Sequence, residues 1–239
     1  MKTLKTTIIA LIAITALSSN AFAGSVGIGV AGHAASVTAS GTETPGGASP
    51  NTDESVVSAT AGNTFMLGSV FAEFNFGETE RFTLGFDYIP GDADVNQDTL
   101  SKVRASTASG IDNDQGGTRS ANATLSDHIT YYSEFIIANG IYVKGGFAQV
   151  DITTQDTNTA SGTSGTYGDV TLNAWTIGLG QKGTFGSNGG FYKMEGYMTD
   201  YDTFKVTSTG SVTNGISDNS SITADLDVIG AAFRVGYKF

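Results

Sequence analysis

The chain has 239 residues, including 32 Gly, 14 Phe, 9 Tyr, 3 Pro and no Cys, with 15% charged residues and a formal charge of -11. Few charges exclude a solvated disordered chain, the acidic balance argues against nucleic acid as a partner, and the absence of Cys excludes a disulfide scaffold and thiolate chemistry. The longest apolar run, about ten residues from Ile8 to Leu17, is too short for a spanning helix. A Gly- and aromatic-rich all-β protein remains.

The chain opens with the parts of an export signal. Lys2 and Lys5 precede the apolar run, and Ala21-Phe22-Ala23 forms a small-residue cleavage site. This makes residues 1–23 a leader and residues 24–239 the mature domain, which is expected to be a single barrel. The next segment, Val26 to Val30, reads as a first strand. In it, Gly27-Ile28-Gly29-Val30-Ala31-Gly32 matches G-x-G-x-x-G, but no strand precedes it and no helical period follows. Glycine on a narrow inner face accounts for it better than a dinucleotide site.

Pairs of alternating segments then recur. Val70, Ala72, Phe74 and Phe76 lead into a turn at residues 77–80, and Phe82, Leu84, Phe86 and Tyr88 lead out. Ile129, Tyr131, Phe135 and Ile137 lead into Asn139-Gly140, a strong tight-hairpin signal, and Ile141, Val143 and Phe147 follow. A third pair flanks residues 186–189, with Trp175, Ile177 and Leu179 before it and Tyr192, Met194 and Met198 after it. The final segment places Phe239, Tyr237, Val235, Phe233, Ala231 and Ile229 on one face of a strand. Lys238, Gly236, Arg234, Ala232 and Gly230 fall on the other. One face suits lipid, and the other suits a narrow polar interior.

The pattern predicts eight strands with three short turns at one end. Four long polar connections, at about residues 40–60, 91–122, 153–169 and 207–222, lie at the other. It resembles the small outer-membrane β-barrels of Gram-negative bacteria, the group of the OmpA membrane domain, OmpX and the Opa- or NspA-like proteins. The fold class is then an all-β, antiparallel up-and-down transmembrane barrel. A ten-stranded barrel using residues 101–108 is the alternative. In this resemblance Phe233, Val235, Tyr237 and Phe239 form the signal read by the barrel-assembly machinery. The resemblance implies a monomer among outer-membrane lipid and lipopolysaccharide, with loops outside and both mature termini in the periplasm.

Sorted by strand parity, Arg81, Lys144, Lys182, Lys193, Arg234 and Lys238 point inward, together with Glu73, Asp87, Glu134 and Glu195. That gives the interior a small positive surplus. Most other acids fall in the outer loops or upper strand ends, beside Lys102, Arg104, Arg119 and Lys205. Counted from the turns and the C terminus, Glu73, Glu134, Lys144, Lys193, Glu195 and Arg234 share a band about 10–16 Å above the turn end. Eight strands leave room for packed side chains and little more. A paired charge layer closing the bore is therefore expected, since pairing makes buried charge tolerable.

His33 and His128 are also expected inside, with Ser36, Ser126 and Asp127 near them in sequence. A catalytic triad is a spatial arrangement, so these residues are read as structural and no enzyme activity is assigned. The run from Asp92 to Asp98 alternates oxygen ligands, but the positions where a calcium loop needs Gly and Glu hold Gln97 and Val103. No cofactor is expected, with a loose surface Ca²⁺ or Mg²⁺ left open. The expected role is structural or surface interaction: envelope integrity, adhesion, or reception of an extracellular ligand. A small-solute pore and a lipid-modifying enzyme are the alternatives.

Overall fold

The computed structural model describes residues 24–44, 57–77, 79–95, 119–158, 167–207, 209, 212–213, 216–217 and 221–239. The expected leader at 1–23 and the candidate extra strand at 101–108 lie outside the described residues, as does most of each long connection.

The strands are β1 (Gly24–Thr44), β2 (Val57–Phe76), β3 (Phe82–Ile89), β4 (Ala93–Val95), β5 (Arg119–Ala138) and β6 (Ile141–Asn158). They continue with β7 (Val170–Phe185), β8 (Gly190–Tyr201), β9 (Phe204–Thr207), β10 (Val212–Thr213), β11 (Ile216–Ser217) and β12 (Ser221–Lys238). Every barrel pairing is antiparallel, and β1 pairs with β12 from Gly27↔Lys238 to Thr44↔Ser221, so the sheet closes on itself. The wall has eight staves. Short β4 extends β3 by pairing with β5, and β9 extends β8 by pairing with β12, while β10 and β11 form a separate hairpin.

The three short turns are built where their residues allow. Asn139 and Gly140 both take positive φ, 51° and 78°, the backbone that a two-residue hairpin with the twist of its strands requires.

Each stave carries an apolar stripe that changes face partway up. In β7, Trp175, Ile177 and Leu179 project outward and are exposed, while Thr176 points in. Two residues higher the pattern is reversed: Ala174 and Leu172 are buried inside, and Asn173 is outside. In β12 the outward set from Ile229 to Phe239 is apolar, whereas above it Val228, Leu226 and Ala224 are buried inside with Asp227 and Asp225 outside. β6 reverses between Phe147 and Ala148, and β1 between Ala34 and Ala35.

The ten residue steps from Ile229 to Phe239 give an apolar belt about 26 Å tall, the height of the lipid-facing band of an outer-membrane barrel. Above the belt the same wall continues as a water-facing tube. Its own core is built from Val37, Leu125, Val150, Ile152, Leu172, Leu226 and their neighbours.

This corrects two expectations. The inner face is not polar throughout: it is polar within the belt and apolar above it. The connections are also shorter than expected: those after β1 and β6 begin later, because these strands run to Thr44 and Asn158, and the one before β5 ends earlier, at Arg119. Outside the belt an outward Ser, Thr or Asp suits water, and an inward Ala, Val or Leu still gains from burial, so the strands persist.

Candidate functional site: a charged layer across the bore

The inward positions within the belt alternate between glycine, aromatic and charged residues. Tyr142 lies opposite Gly180 and Tyr132 opposite Gly85 in neighbouring strands. A Cβ at Gly180 would stand 2.5 Å from the Tyr142 ring, and one at Gly85 would stand 2.1 Å from the Tyr132 ring. Glycine lets the rings lie against the wall, and the rings leave the centre to charged side chains.

Those charges form two sets. In the lower set, Lys193 on β8 bonds Glu73 on β2 and, at 2.6 Å, Glu134 on β5. Lys182 on β7 reaches Glu73 at 3.5 Å and donates to Asn75 Oδ1 at 2.9 Å. In the upper set, Arg234 on β12 meets Asp87 on β3 at 2.5 Å and Glu195 on β8 at 2.9 Å. Lys144 on β6 donates to the same Glu195 oxygen at 2.6 Å, and the Tyr142 hydroxyl donates to its other oxygen at 2.9 Å.

Each set contains two cations and two carboxylates and sums to zero. Apart from Arg234 with Glu195, these ion pairs join staves that are not neighbours in the wall, so they run across the bore. Arg234 is 1% exposed and Lys193 0%. Cation–π contacts complete the layer, with Lys144 Nζ at 4.9 Å and Arg234 Cζ at 5.4 Å from the Tyr132 ring centre.

Arg81 is a correction to the parity reading. It precedes β3, is exposed, and turns outward over Phe135 at 5.2 Å while donating to the carbonyls of Ile136 and Ile137. The left-handed backbone at Glu80, φ 48°, ends the strand alternation before Arg81, so parity no longer governs it. Lys238 lies at the turn-end rim, partly exposed, where it pairs with Glu80 at 2.8 Å. With these two removed, the positive surplus expected inside disappears.

His33 faces the bore at the top of the upper set. Its Nε2 lies 2.9 Å from Ser69 Oγ and 3.7 Å from Asp87 Oδ2, and its Nδ1 lies 3.4 Å from the Tyr197 hydroxyl. Hydroxyl and carboxylate meet the same ring nitrogen, which is not the relay geometry of a triad. His128 also faces inward, within a bulge between Ser126 and Ile129, with its ring 6.4 Å from that of Tyr201. Ser36 lies on the outer parity of β1. Ser126 donates to the Asp151 carbonyl at 3.5 Å, and Asp127 accepts from the Tyr88 hydroxyl at 2.7 Å.

The G-x-G-x-x-G run is strand throughout. A Cβ at Gly29 would meet the Val235 carbonyl at 2.2 Å, so closeness of the wall accounts for that glycine. Within the acidic run, Asp94 accepts from Thr124, and residues 96–98 lie outside the described residues. No group of three or more metal-ligating side chains is found among the described residues. Phe233, Val235, Tyr237 and Phe239 project from the outer face, with Phe239 at 73% exposure, and the Phe239 amide donates to Val26 O at 2.9 Å.

The ion pairing across the bore left no trace in strand parity. Glu134 lies in register with Lys144, yet each takes a partner on a more distant stave. The apolar upper core was detectable as the reversal of the hydrophobic face.

No protein-family model matches the chain, and no curated protein matches it in sequence. Among solved structures it is similar to the outer-membrane protein OprG of Pseudomonas aeruginosa, at 13% identity and a TM-score of 0.41 over 91% of this chain and 97% of that one. It is similar to the outer-membrane protease OmpT of Escherichia coli, at 10% identity and 0.45 over 90% and 97%. The outer-membrane protein AlkL gives 16% and 0.41 over 91% of each chain. At these scores the barrel assignment rests on the strand pairing, the closure and the belt. By those features the chain has the architecture of a small eight-stranded outer-membrane β-barrel.

Proposed function

We propose that the protein is an integral outer-membrane barrel with a closed bore, whose task is performed at the cell surface by its acidic loop end. The observation that carries this reading is the set of ion pairs running across the bore, directly below an apolar core. A hydrated ion would have to displace buried salt bridges and then cross a stack of Val, Leu and Ile side chains.

In this reading the short turns and both termini of residues 24–239 face the periplasm, and the long connections face outward. Phe239 and its alternate apolar neighbours serve the barrel-assembly machinery, and the belt contacts lipid and lipopolysaccharide as a monomer. The role is structural or adhesive, or reception of an extracellular ligand, with loosely held Ca²⁺ or Mg²⁺ as the loops' counter-ions. Swelling of proteoliposomes in small sugars tests it. The sealed barrel gives the rate of protein-free liposomes, and a porin-like rate overturns the reading.

A second reading, passage of small apolar solutes, has one observation in its favour. Above Val70, β2 pairs only with β1 among the described residues, while β4 pairs with β5. Asn63 bridges this seam to the Asp94 carbonyl at 2.8 Å. A path here would leave the apolar upper core sideways rather than follow the bore, so uptake of an apolar probe without sugar permeability would favour it.

A further inference from the structure

We propose that His33 makes the seal pH-sensitive: taking up a proton there sets imidazolium against Arg234 for a single carboxylate oxygen and loosens the upper half of the plug. The inference rests on the closed-bore reading and extends it to regulation.

The chain has two histidines. Histidine is the side chain whose unperturbed charge changes between about pH 5 and pH 8, while the lysines, arginine and carboxylates of the layer ordinarily titrate outside that window. His33 is buried on β1. From β2 it faces Ser69, and from β3 Asp87. Lys144 on β6, Glu195 on β8 and Arg234 on β12 complete the charges that bear on it, with the Tyr197 hydroxyl at Nδ1. His128 on β5 lies within electrostatic range of His33 and Asp87.

With His33 neutral, the upper set sums to zero. One proton from solvent turns both ring nitrogens into donors and raises the sum to one positive charge. Nδ1–H can be donated to the Tyr197 hydroxyl and Nε2–H to the Ser69 hydroxyl, both uncharged, so the counter-charge that the imidazolium needs is already in use. Asp87 Oδ2, 3.7 Å from Nε2, is the same oxygen that holds Arg234 Nη1 at 2.5 Å. Any approach of imidazolium to that oxygen weakens the tie from β12 to β3 across the bore. His128 has different surroundings: it pairs in register with Ile89, and its ring lies 6.4 Å from that of Tyr201.

The test uses residues 24–239 refolded in lipid vesicles, compared at about pH 8 and about pH 5. The wild type is expected to lose about 5 °C in apparent Tm at the lower pH and to show at least about tenfold more frequent current openings, since above its midpoint a group's protonated fraction changes about tenfold per pH unit. His33→Gln should lose both responses, and His128→Gln should keep them. If His33→Gln does not fold, the imidazole resonance of His33 in the wild type must titrate with the midpoint of the openings. A full acid response in His33→Gln, or openings that do not follow that titration, overturns the proposal. A barrel that stays closed and equally stable at both pH values also overturns it and leaves the closed bore standing. Steady current at the higher pH instead overturns the closed bore itself.

Discussion

Arg234 binds carboxylates on two other staves, Asp87 on β3 and Glu195 on β8, and is almost fully buried. Removing it leaves two carboxylates against Lys144 alone. An unpaired buried charge costs about 3–5 kcal/mol where water cannot relieve it. Urea unfolding of Arg234→Met in vesicles should show a loss of that size. The double variant Arg234→Met with Asp87→Asn restores a zero sum in the upper set, and its loss should be smaller than the sum of the two singles. Strict additivity would mean that Asp87 and Arg234 do not act as a pair. At this scale strand parity pointed to eight of the ten charges expected in the bore, because parity is a local property, and it failed at Arg81 and at Lys238 on the rim. It did not show the partners, because those depend on which staves face each other across a closed ring. Arg81 was misplaced for a local reason: one left-handed residue, Glu80, interrupted the alternation.

At the scale of single elements, β7 shows both environments of the wall. Leu179 is 59% exposed within the belt, and Asn173 faces outward beyond its upper edge. Leu179→Arg should therefore cost about 2–4 kcal/mol in a bilayer, while Asn173→Arg should cost about 0–1 kcal/mol. Equal effects in refolding titrations would show that the stripe reversal does not mark the membrane boundary. That reversal is written in the sequence as a change of parity, and a reading that extends one parity up the whole strand misses it.

The first turn contributes differently. Glu80 accepts from Ser25 on β1 and Lys238 on β12, and so ties together the two staves whose pairing closes the barrel. Partial burial opposes its ionisation, but the hydrogen bonds from Lys238 and Ser25 outweigh that and hold its carboxyl below the ordinary range. Because the folded value is the lower one, this contribution is present above the usual glutamate value of about 4.3 and is lost as pH falls through the folded value. Wild type and Glu80→Gln should thus differ in urea midpoint near neutrality and converge at acid pH. A difference that is constant with pH would remove Glu80's charge from the explanation.

In the whole molecule, two opposite solutions to burial are stacked along one axis. Within the lipid belt the wall gives its apolar side to lipid, so the inside is left to polar groups that must satisfy one another, and the two neutral sets of charge do so. Above the belt water takes the outside, and the inside closes as an ordinary apolar core. In the closed-bore reading proposed above, both arrangements exclude ions by packed side chains. The closed eight-stave ring was legible because the three turns and the terminal aromatic pattern are strong local signals. The stacking of the two interiors was not, since it appears only when all the staves are set at one height.

Single-channel recording of residues 24–239 in a planar bilayer at neutral pH, with Arg234→Ala beside the wild type, tests the closed bore most directly. The wild type should be silent and the variant should show brief, irregular openings, because one cation of the upper set no longer spans the bore. Steady conductance of the wild type, unchanged by Arg234→Ala, would contradict the closed bore.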